Sequence, residues 1–166
     1  DPRYGAEGGD MMAVADPDSL REVAWADDTA AVFTDLTNVD GTPFDLCPRG
    51  ALRRVIEDLR SEGLVPLAGV EAEFSTLVPD GDGGWEPSNT RCSYDMDALD
   101  MADGITREWE AAMEAAGASV LGIHQESQPG QFEVNIEYDD ALTTADNLMF
   151  FRHAAKAIAR GQGYKV

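Results

Sequence analysis

The feature that most constrains this fold is a pair of β-prone arms joined by Gln-Pro-Gly-Gln. The stretch from Ile123 to Asn135 reads IHQESQPGQFEVN. A Pro-Gly pair favours a tight turn, because Pro presets φ and Gly accepts positive φ. With that turn over residues 128–131, the segment predicts a β-hairpin in which Glu126 lies directly opposite Glu133. Like charges opposite each other destabilise a sheet, so either a cation lies between them, one is protonated, or this register is wrong.

A second segment, GVEAEFSTL from Gly69 to Leu77, carries two more carboxylates. Side chains alternate between the faces of a strand, so Glu71 and Glu73 point the same way and the residues between them face the core. An ordinary solvent-exposed strand face has the same pattern. Four carboxylates gathered on one face would need counter-charge, however, because unpaired buried charge is costly. Oxygen-rich, histidine-poor sites suit Mg²⁺ or Mn²⁺, which favours metal-assisted phosphoryl chemistry if the four converge.

The remaining segments mix helices and strands without a regular βαβ rhythm, which predicts an α+β fold. Apolar residues at helical spacing predict the helices, and short apolar runs bounded by turn signals predict the strands. Helices are expected over residues 48–60, 103–116 and 143–160, strands over 11–14, 30–35 and 64–78, and a loop over 79–89.

The charge balance excludes some classes of protein. Asp and Glu number 32 against 12 Lys and Arg, for a net charge of −20, which would repel the phosphates of nucleic acid. Such a surface favours a protein kept soluble in concentrated salt, so a halophilic source is expected, with a lysine-poor, high-GC bacterium as the alternative.

No apolar run reaches the roughly 18 residues of a membrane span and no signal peptide is visible, so cytoplasm is expected. Cys47 and Cys92 are too few and too separate to predict a disulfide framework or a zinc site.

The ordered set GVEAEF, HQESQPGQFEVN and ALTTADNLMFFRHAAKAIARGQG resembles the glutamine synthetase family. The preceding segment, from GDMMAVADPDSL to LCPRGALRRV, resembles the join between that family's small β-grasp domain and its catalytic domain. The resemblance implies that residues 1–43 are the C-terminal part of the β-grasp domain. Residues 44–166 would be the N-terminal part of the catalytic domain, a curved antiparallel sheet with flanking helices. The chain starts at Asp1 without Met and stops after GQGYKV, so we expect part of a longer polypeptide that is inactive alone.

The resemblance also implies an activity, ATP-dependent formation of a γ-glutamyl amide. ATP phosphorylates the glutamate side chain, and ammonia or a primary amine then displaces phosphate. Two or three Mg²⁺ or Mn²⁺ ions are implied in a site between subunits, within a homo-oligomer of stacked rings of ten to twelve chains. The alternative is a non-catalytic homologue with an assembly or regulatory role.

Family motifs that match this sequence carry residue roles with them. Glu73, Glu126 and Glu133 are expected to share one metal ion, and Glu71 is expected to bind the other, which bridges the ATP phosphates. Tyr138 corresponds to an aromatic residue against the nucleotide, and Tyr94 to a tyrosine near the incoming amine. No catalytic residue is assigned.

Three positions depart from the family pattern. Leu121 stands where many members carry a glutamate that contacts the ribose, Gln125 where many glutamine-forming members carry a second His, and Cys47 where Asp usually precedes Pro-Arg. The segments FSTLVPDGDGGWEP and YDMDALD resemble the γ-glutamyl–polyamine ligases. These segments and Gln125 favour a larger amine, while ammonium and polyamine both stay open as acceptors. His124 could orient a ligand or be a hydrogen-bonded structural residue.

Overall fold

A computed structural model describes residues 9–91 and 93–166. The expectations about the first residues, Asp1 to Gly5, and about Cys92 fall outside these described residues. The chain forms two compact units, the first from residues up to Leu20 and residues 31–66, the second from residues 21–30 and 67–166. The domain boundary expected between residues 43 and 44 stays a prediction. No helix among the described residues has both the length and the apolar character needed to cross a bilayer.

The first unit contains an antiparallel strand pair, a short 3-10 helix (Pro17–Ser19) and one α-helix. Strand β1 (Met11–Ala15) pairs with β4 (Thr34–Asn38), and helix α1 spans Pro48–Ser61. Proline at the first helical position fits α1, since its missing N–H has no helical partner there. The single strand expected over residues 30–35 is wrong, because two short strands, β3 (Ala30–Ala31) and β4, replace it.

Cys47 is the N-cap of α1. Its Sγ accepts hydrogen bonds from the backbone N–H groups of Gly50 and Leu36, both at 3.3 Å, and the residue is buried. The thiol thus takes over the capping acceptor role that a carboxylate or hydroxyl usually fills at this position.

The second unit holds the larger sheet and most of the helices. Its elements are β2 (Arg21–Glu22), β5 (Leu67–Ser75), β6 (Leu77–Pro79), β7 (Trp85–Pro87), α2 (Met96–Met101), α3 (Asp103–Ala115), β8 (Val120–Gln125), β9 (Gln131–Asp140) and α4 (Ala141–Gly161). Strands β5, β9 and β8 form an antiparallel sheet in that order. This arrangement of mixed helices and antiparallel strands confirms the predicted α+β class.

Helices cover one face of this sheet. Phe132, Val134 and Ile136 alternate along β9 and are all buried. Trp109 of α3, which is fully buried, stacks edge-on against Phe74 of β5 with ring centroids 5.1 Å apart. The hydrophobic core therefore takes every second residue of β5 and β9, and the intervening residues face away from the helices.

The continuous strand expected over residues 64–78 is interrupted at Thr76. Its backbone N–H and its hydroxyl both donate to the carbonyl of Gly130, at 2.8 and 3.0 Å, and its own carbonyl accepts the N–H of Ser88 at 2.9 Å. These bonds turn the backbone away from the ladder, so β5 ends and β6 begins. The predicted loop over residues 79–89 also contains β7, which pairs with β6.

Candidate functional site

The face of the sheet opposite the helices carries the predicted carboxylates. Glu71 and Glu73 are two of the exposed residues that alternate along β5. Glu73 lies directly opposite Glu133 of β9, and Glu71 lies opposite Asn135. The prediction that the two segments meet on one face is confirmed, since directly paired residues of an antiparallel ladder have Cα atoms about 5 Å apart.

The predicted turn forms at Gln128 to Gln131. The N–H of Gln131 donates to the carbonyl of Gln128 at 3.0 Å, and Gly130 has φ of +70°. Pro followed by a residue with positive φ is the pattern of a type II turn.

The predicted hairpin register is wrong by two residues. His124, not Glu126, lies opposite Glu133, and the N–H of Glu126 bonds instead to the carbonyl of Gln131 at 2.8 Å. The loop uses four residues where the prediction allowed two. A slip of two residues preserves the face of every side chain, so Glu126 and Glu133 remain on the same side.

Glu126 and Glu133 interact despite their like charges. Glu126 is 9% exposed. Partial burial raises the pKa of Glu133, and the hydrogen bond and charge of Glu126 raise that pKa further. A raised carboxyl pKa means that this pair binds a proton more readily than isolated carboxylates do. The folded hairpin therefore concentrates enough negative charge here to attract a proton or another cation.

Tyr94 lies against the same pair. Backbone bonds from Ser93 N to the Glu126 carbonyl (2.9 Å) and from Tyr94 N to the Gln125 carbonyl (2.8 Å) hold its segment beside the hairpin. The charge of Glu126 and a hydrogen bond to it raise the pKa of the Tyr94 hydroxyl. Tyr94 also has a φ of +64°, a left-handed conformation that is rare outside glycine. Such strain clusters at functional sites.

A cavity of about 640 Å³ lies beside the carboxylates, lined by Gly69, Val70, Glu71, Leu121, Gly122, His124, Asn135, Ile136 and Tyr138. Glu71 and Tyr138, to which the family resemblance gave roles in neighbouring parts of a nucleotide site, both line it. Leu121 and Tyr138 are 66% and 63% exposed and give the cavity an apolar part. The ring of His124 packs edge-on against Tyr94 with centroids 6.0 Å apart.

Gln125 lies away from this cavity and is fully buried. Its amide nitrogen donates to the carbonyls of Gln128 (2.9 Å) and Glu126 (3.3 Å), and its oxygen accepts from Asn89 at 3.1 Å. A side chain with no exposed surface cannot contact an acceptor molecule. Gln125 therefore does not line this cavity, and ammonium and polyamine both stay open as acceptors.

The donor set fits a hard divalent cation. Carboxylate oxygens dominate the face, and the Oδ1 atom of Asn135, opposite Glu71, is buried without a hydrogen-bond partner. Oxygen-rich sites of this kind, with few histidines, suit Mg²⁺ and Mn²⁺. Over the described ranges, no three His, Cys, Asp or Glu side chains stand in the geometry of a ready-made metal cage. The ligand roles of Glu71, Glu73, Glu126 and Glu133 therefore stay predictions.

Sequence reasoning missed two polar residues of this face. Gln131 and Asn135 flank Glu133 at a spacing of two, the strand period that places all three on one side. The Nε2 atom of Gln131 donates to Oε2 of Glu73 at 2.8 Å. The alternation Gln-Phe-Glu-Val-Asn was available in the sequence, but the partner across the sheet was not.

Comparison with known proteins gives consistent matches. The family profile described as "Glutamine synthetase, catalytic domain" matches residues 45–166. A glutamine synthetase of Pyrococcus abyssi is 36% identical over 159 residues, which is 96% of this chain and 36% of that protein. The apo structure of GmaS superposes with a TM-score of 0.85 at 33% identity, over 95% of this chain and 38% of GmaS. A GmaS complex with ADP gives the same TM-score and identity, over 95% of this chain and 37% of that one. The chain thus spans little more than a third of the length of these relatives.

Proposed function

The chain belongs to the glutamine synthetase family, and on that premise we propose that the full-length protein is an ATP-dependent carbon–nitrogen ligase. It joins the side-chain carboxylate of glutamate to an amine through a γ-glutamyl phosphate. The observation that carries the proposal is the pairing of Glu73 with Glu133 on β9, with Glu126 and Tyr94 against them and a cavity alongside.

The carboxylates serve as cation ligands in this proposal. Glu73, Glu126 and Glu133 hold one divalent ion and Glu71 helps to hold another. Such ions supply positive charge that offsets the phosphates and the substrate carboxylate as two anions approach. The protein's own contribution is to hold these oxygens on one rigid sheet face, which preorganises the site.

The cavity beside Glu71 is the proposed nucleotide site. Tyr138 offers a broad, exposed aromatic surface to a base, and Leu121 adds apolar area without a hydrogen-bond acceptor for the ribose. A nucleotide substrate is also supported by the similar GmaS, whose complex with ADP has been solved.

The proposed acceptor is a cationic amine, either ammonium or a primary alkylamine. Tyr94 is exposed and adjacent to the charges of Glu126, Glu133 and Glu73. One divalent ion on these three carboxylates would still leave a net negative charge, which favours binding of a protonated amine close to the activated carboxyl group. Loss of one proton to water then gives the free amine, which attacks the γ-carbonyl carbon of the acyl phosphate and expels phosphate as the C–O bond breaks.

Phosphate release by the full-length protein tests this proposal. The reaction contains ATP, glutamate and Mg²⁺ or Mn²⁺ in high salt, with ammonium, putrescine, spermidine or ethanolamine in separate arms. The acceptor with the highest kcat/KM identifies the amine class. No release with any acceptor would leave a non-catalytic homologue. The same sample, sized by light scattering, tests the proposed homo-oligomer.

A matched pair of variants tests the site itself. Glu133→Gln removes a proposed ligand and is expected to lower kcat by about 100-fold or more, in the range seen for lost electrostatic stabilisation. Glu137→Gln makes the same change four residues along β9, at an exposed position outside the cluster, and is expected to leave kcat unchanged. Equal activity of the two variants contradicts the assignment.

A further inference from the structure

Gln131 contacts more of the carboxylate cluster than any role assigned above explains. Its side-chain nitrogen donates to Oε2 of Glu73 at 2.8 Å, and its side-chain oxygen accepts the N–H of Gln128 at 3.1 Å. Its backbone carbonyl accepts the N–H of Glu126 at 2.8 Å. One residue thus joins the turn, the carboxylate on β5 and the backbone that carries Glu126.

The ladder geometry explains how this residue makes the contact. Gln131 pairs with Ser75, two residues along β5 from Glu73, so it reaches Glu73 diagonally on the same face. Glu133 occupies the position directly opposite Glu73 and can offer only a like charge there. The amide of Gln131 instead offers an N–H donor, and its side chain is long enough to reach the Glu73 carboxylate.

The other end of the Gln131 side chain is also held. Accepting the N–H of Gln128 fixes its amide orientation, which leaves the nitrogen directed to Glu73. The turn is itself anchored, because the N–H and the hydroxyl of Thr76 both donate to the carbonyl of Gly130, at 2.8 and 3.0 Å. The side chain of Gln131 therefore links the Glu73 carboxylate to an anchored turn.

We propose that Gln131 is a positioning residue that orients the Glu73 carboxylate for metal binding, through its bond to Oε2, while its backbone holds Glu126 in place. This inference rests on the proposed function in one respect, the metal-ligand role of Glu73. Residues that orient a metal ligand typically contribute 10- to 100-fold to metal affinity. Gln131 does not itself bind the ion or the substrate.

The test measures Mn²⁺ affinity of the full-length protein, without nucleotide, by the electron paramagnetic resonance signal of free Mn²⁺. Gln131→Met keeps the length of the side chain and removes its donor and acceptor. Gln131→Ala removes the side chain beyond Cβ. Gln128→Ala is the matched control, since that residue is exposed and uses only its backbone in the bonds described.

Both Gln131 variants are expected to weaken one class of Mn²⁺ site by about 10- to 100-fold without reducing the number of sites. The control is expected to bind like wild type. Saturating Mn²⁺ should restore most of kcat in the Met variant, because a positioning role shows in metal affinity and not in the chemical step. If the Ala variant does not fold, the Met variant carries the comparison.

Wild-type Mn²⁺ affinity in the folded Met variant overturns this inference and leaves the proposed function standing. A loss of kcat that saturating Mn²⁺ does not restore also overturns it, since Gln131 would then act in the reaction. If wild-type protein binds no Mn²⁺ at all, the proposed function fails and the inference fails with it. Glu73→Gln, measured alongside, distinguishes these cases, because it must weaken the same class of site if Glu73 is a ligand.

Discussion

Replacing Glu133 by glutamine should change stability in opposite directions with and without metal. Glu133 lies opposite Glu73 and hydrogen-bonds to Glu126, so it is the most crowded charge of the cluster. Cross-strand charge pairs are worth about 0.2 to 1 kcal/mol each. If the repulsion from Glu73 and that from Glu126 are each of this size, removing the Glu133 charge should stabilise the metal-free protein by about 0.4 to 2 kcal/mol, since the introduced amide can still donate to Glu126.

With metal bound, wild type should instead be more stable than the variant. A ligand present at about 100 times its Kd stabilises the folded state by about 2.7 kcal/mol. If loss of the Glu133 carboxylate weakens the site about 100-fold, the same Mn²⁺ concentration stabilises the variant by only about 0.4 kcal/mol. Wild type should then exceed the variant by about 0.3 to 2 kcal/mol.

Denaturant unfolding of the full-length protein in EDTA and in Mn²⁺ measures both values. Glu137→Gln is the control and should follow wild type in both conditions, because it lies outside the cluster. The reasoning is refuted if Glu133→Gln is less stable than wild type in EDTA, or if Mn²⁺ stabilises the two proteins equally.

Three further predictions follow from single contacts. Gly130→Ala should destabilise by about 2 to 4 kcal/mol, because positive φ costs about 1 kcal/mol and its Cβ would also lie 2.7 Å from the Thr76 carbonyl. Gly81→Ala, with φ of +85° in open space, isolates the φ cost, and equal losses in both variants would contradict the clash. Cys47→Ala should lower the stability measured by thermal unfolding by about 1 to 2 kcal/mol, because two N–H groups lose their acceptor. Cys47→Ser should retain most of that stability. Glu133 has a raised pKa, so the folded state binds its proton more tightly than the unfolded state, and the metal-free protein should lose stability as pH rises from 4.5 through the raised value. The difference between wild type and Glu133→Gln should show this slope, and a difference independent of pH would count against it.

Short-range patterns were enough to predict much of this molecule. The helical spacing of Ile105, Trp109 and Met113 predicted α3, and proline at position 48 predicted the start of α1, since both depend on neighbouring residues alone. The period of two placed Glu71 and Glu73 on one face for the same reason. The order of the motifs in the chain was enough to identify the family, which the profile match over residues 45–166 then showed.

Contacts between distant residues were beyond those patterns. The observed register differs from the predicted one by two residues because contacts with other residues stabilise the longer loop. Gln125 bonds to Asn89, which is 36 residues away, and to Gln128 in the turn, which is 3 residues away. The strand break at Thr76 likewise depends on Gly130, which is 54 residues distant. A local sequence pattern depends only on residues within one turn or strand. It cannot include a hydrogen bond from a distant segment that comes close only when the chain folds.

The carboxylate face combines both kinds of information. Side-chain alternation in each strand is a local property of the extended backbone, so the faces were predictable even though the register was not. Which residues then meet across the strands, Glu73 with Glu133 and Gln131 with Glu73, depends on ladder pairing between segments nearly 60 residues apart. The pairing of Glu73 with Glu133 places like charges together at one site, and that concentration of charge arises only in the folded sheet.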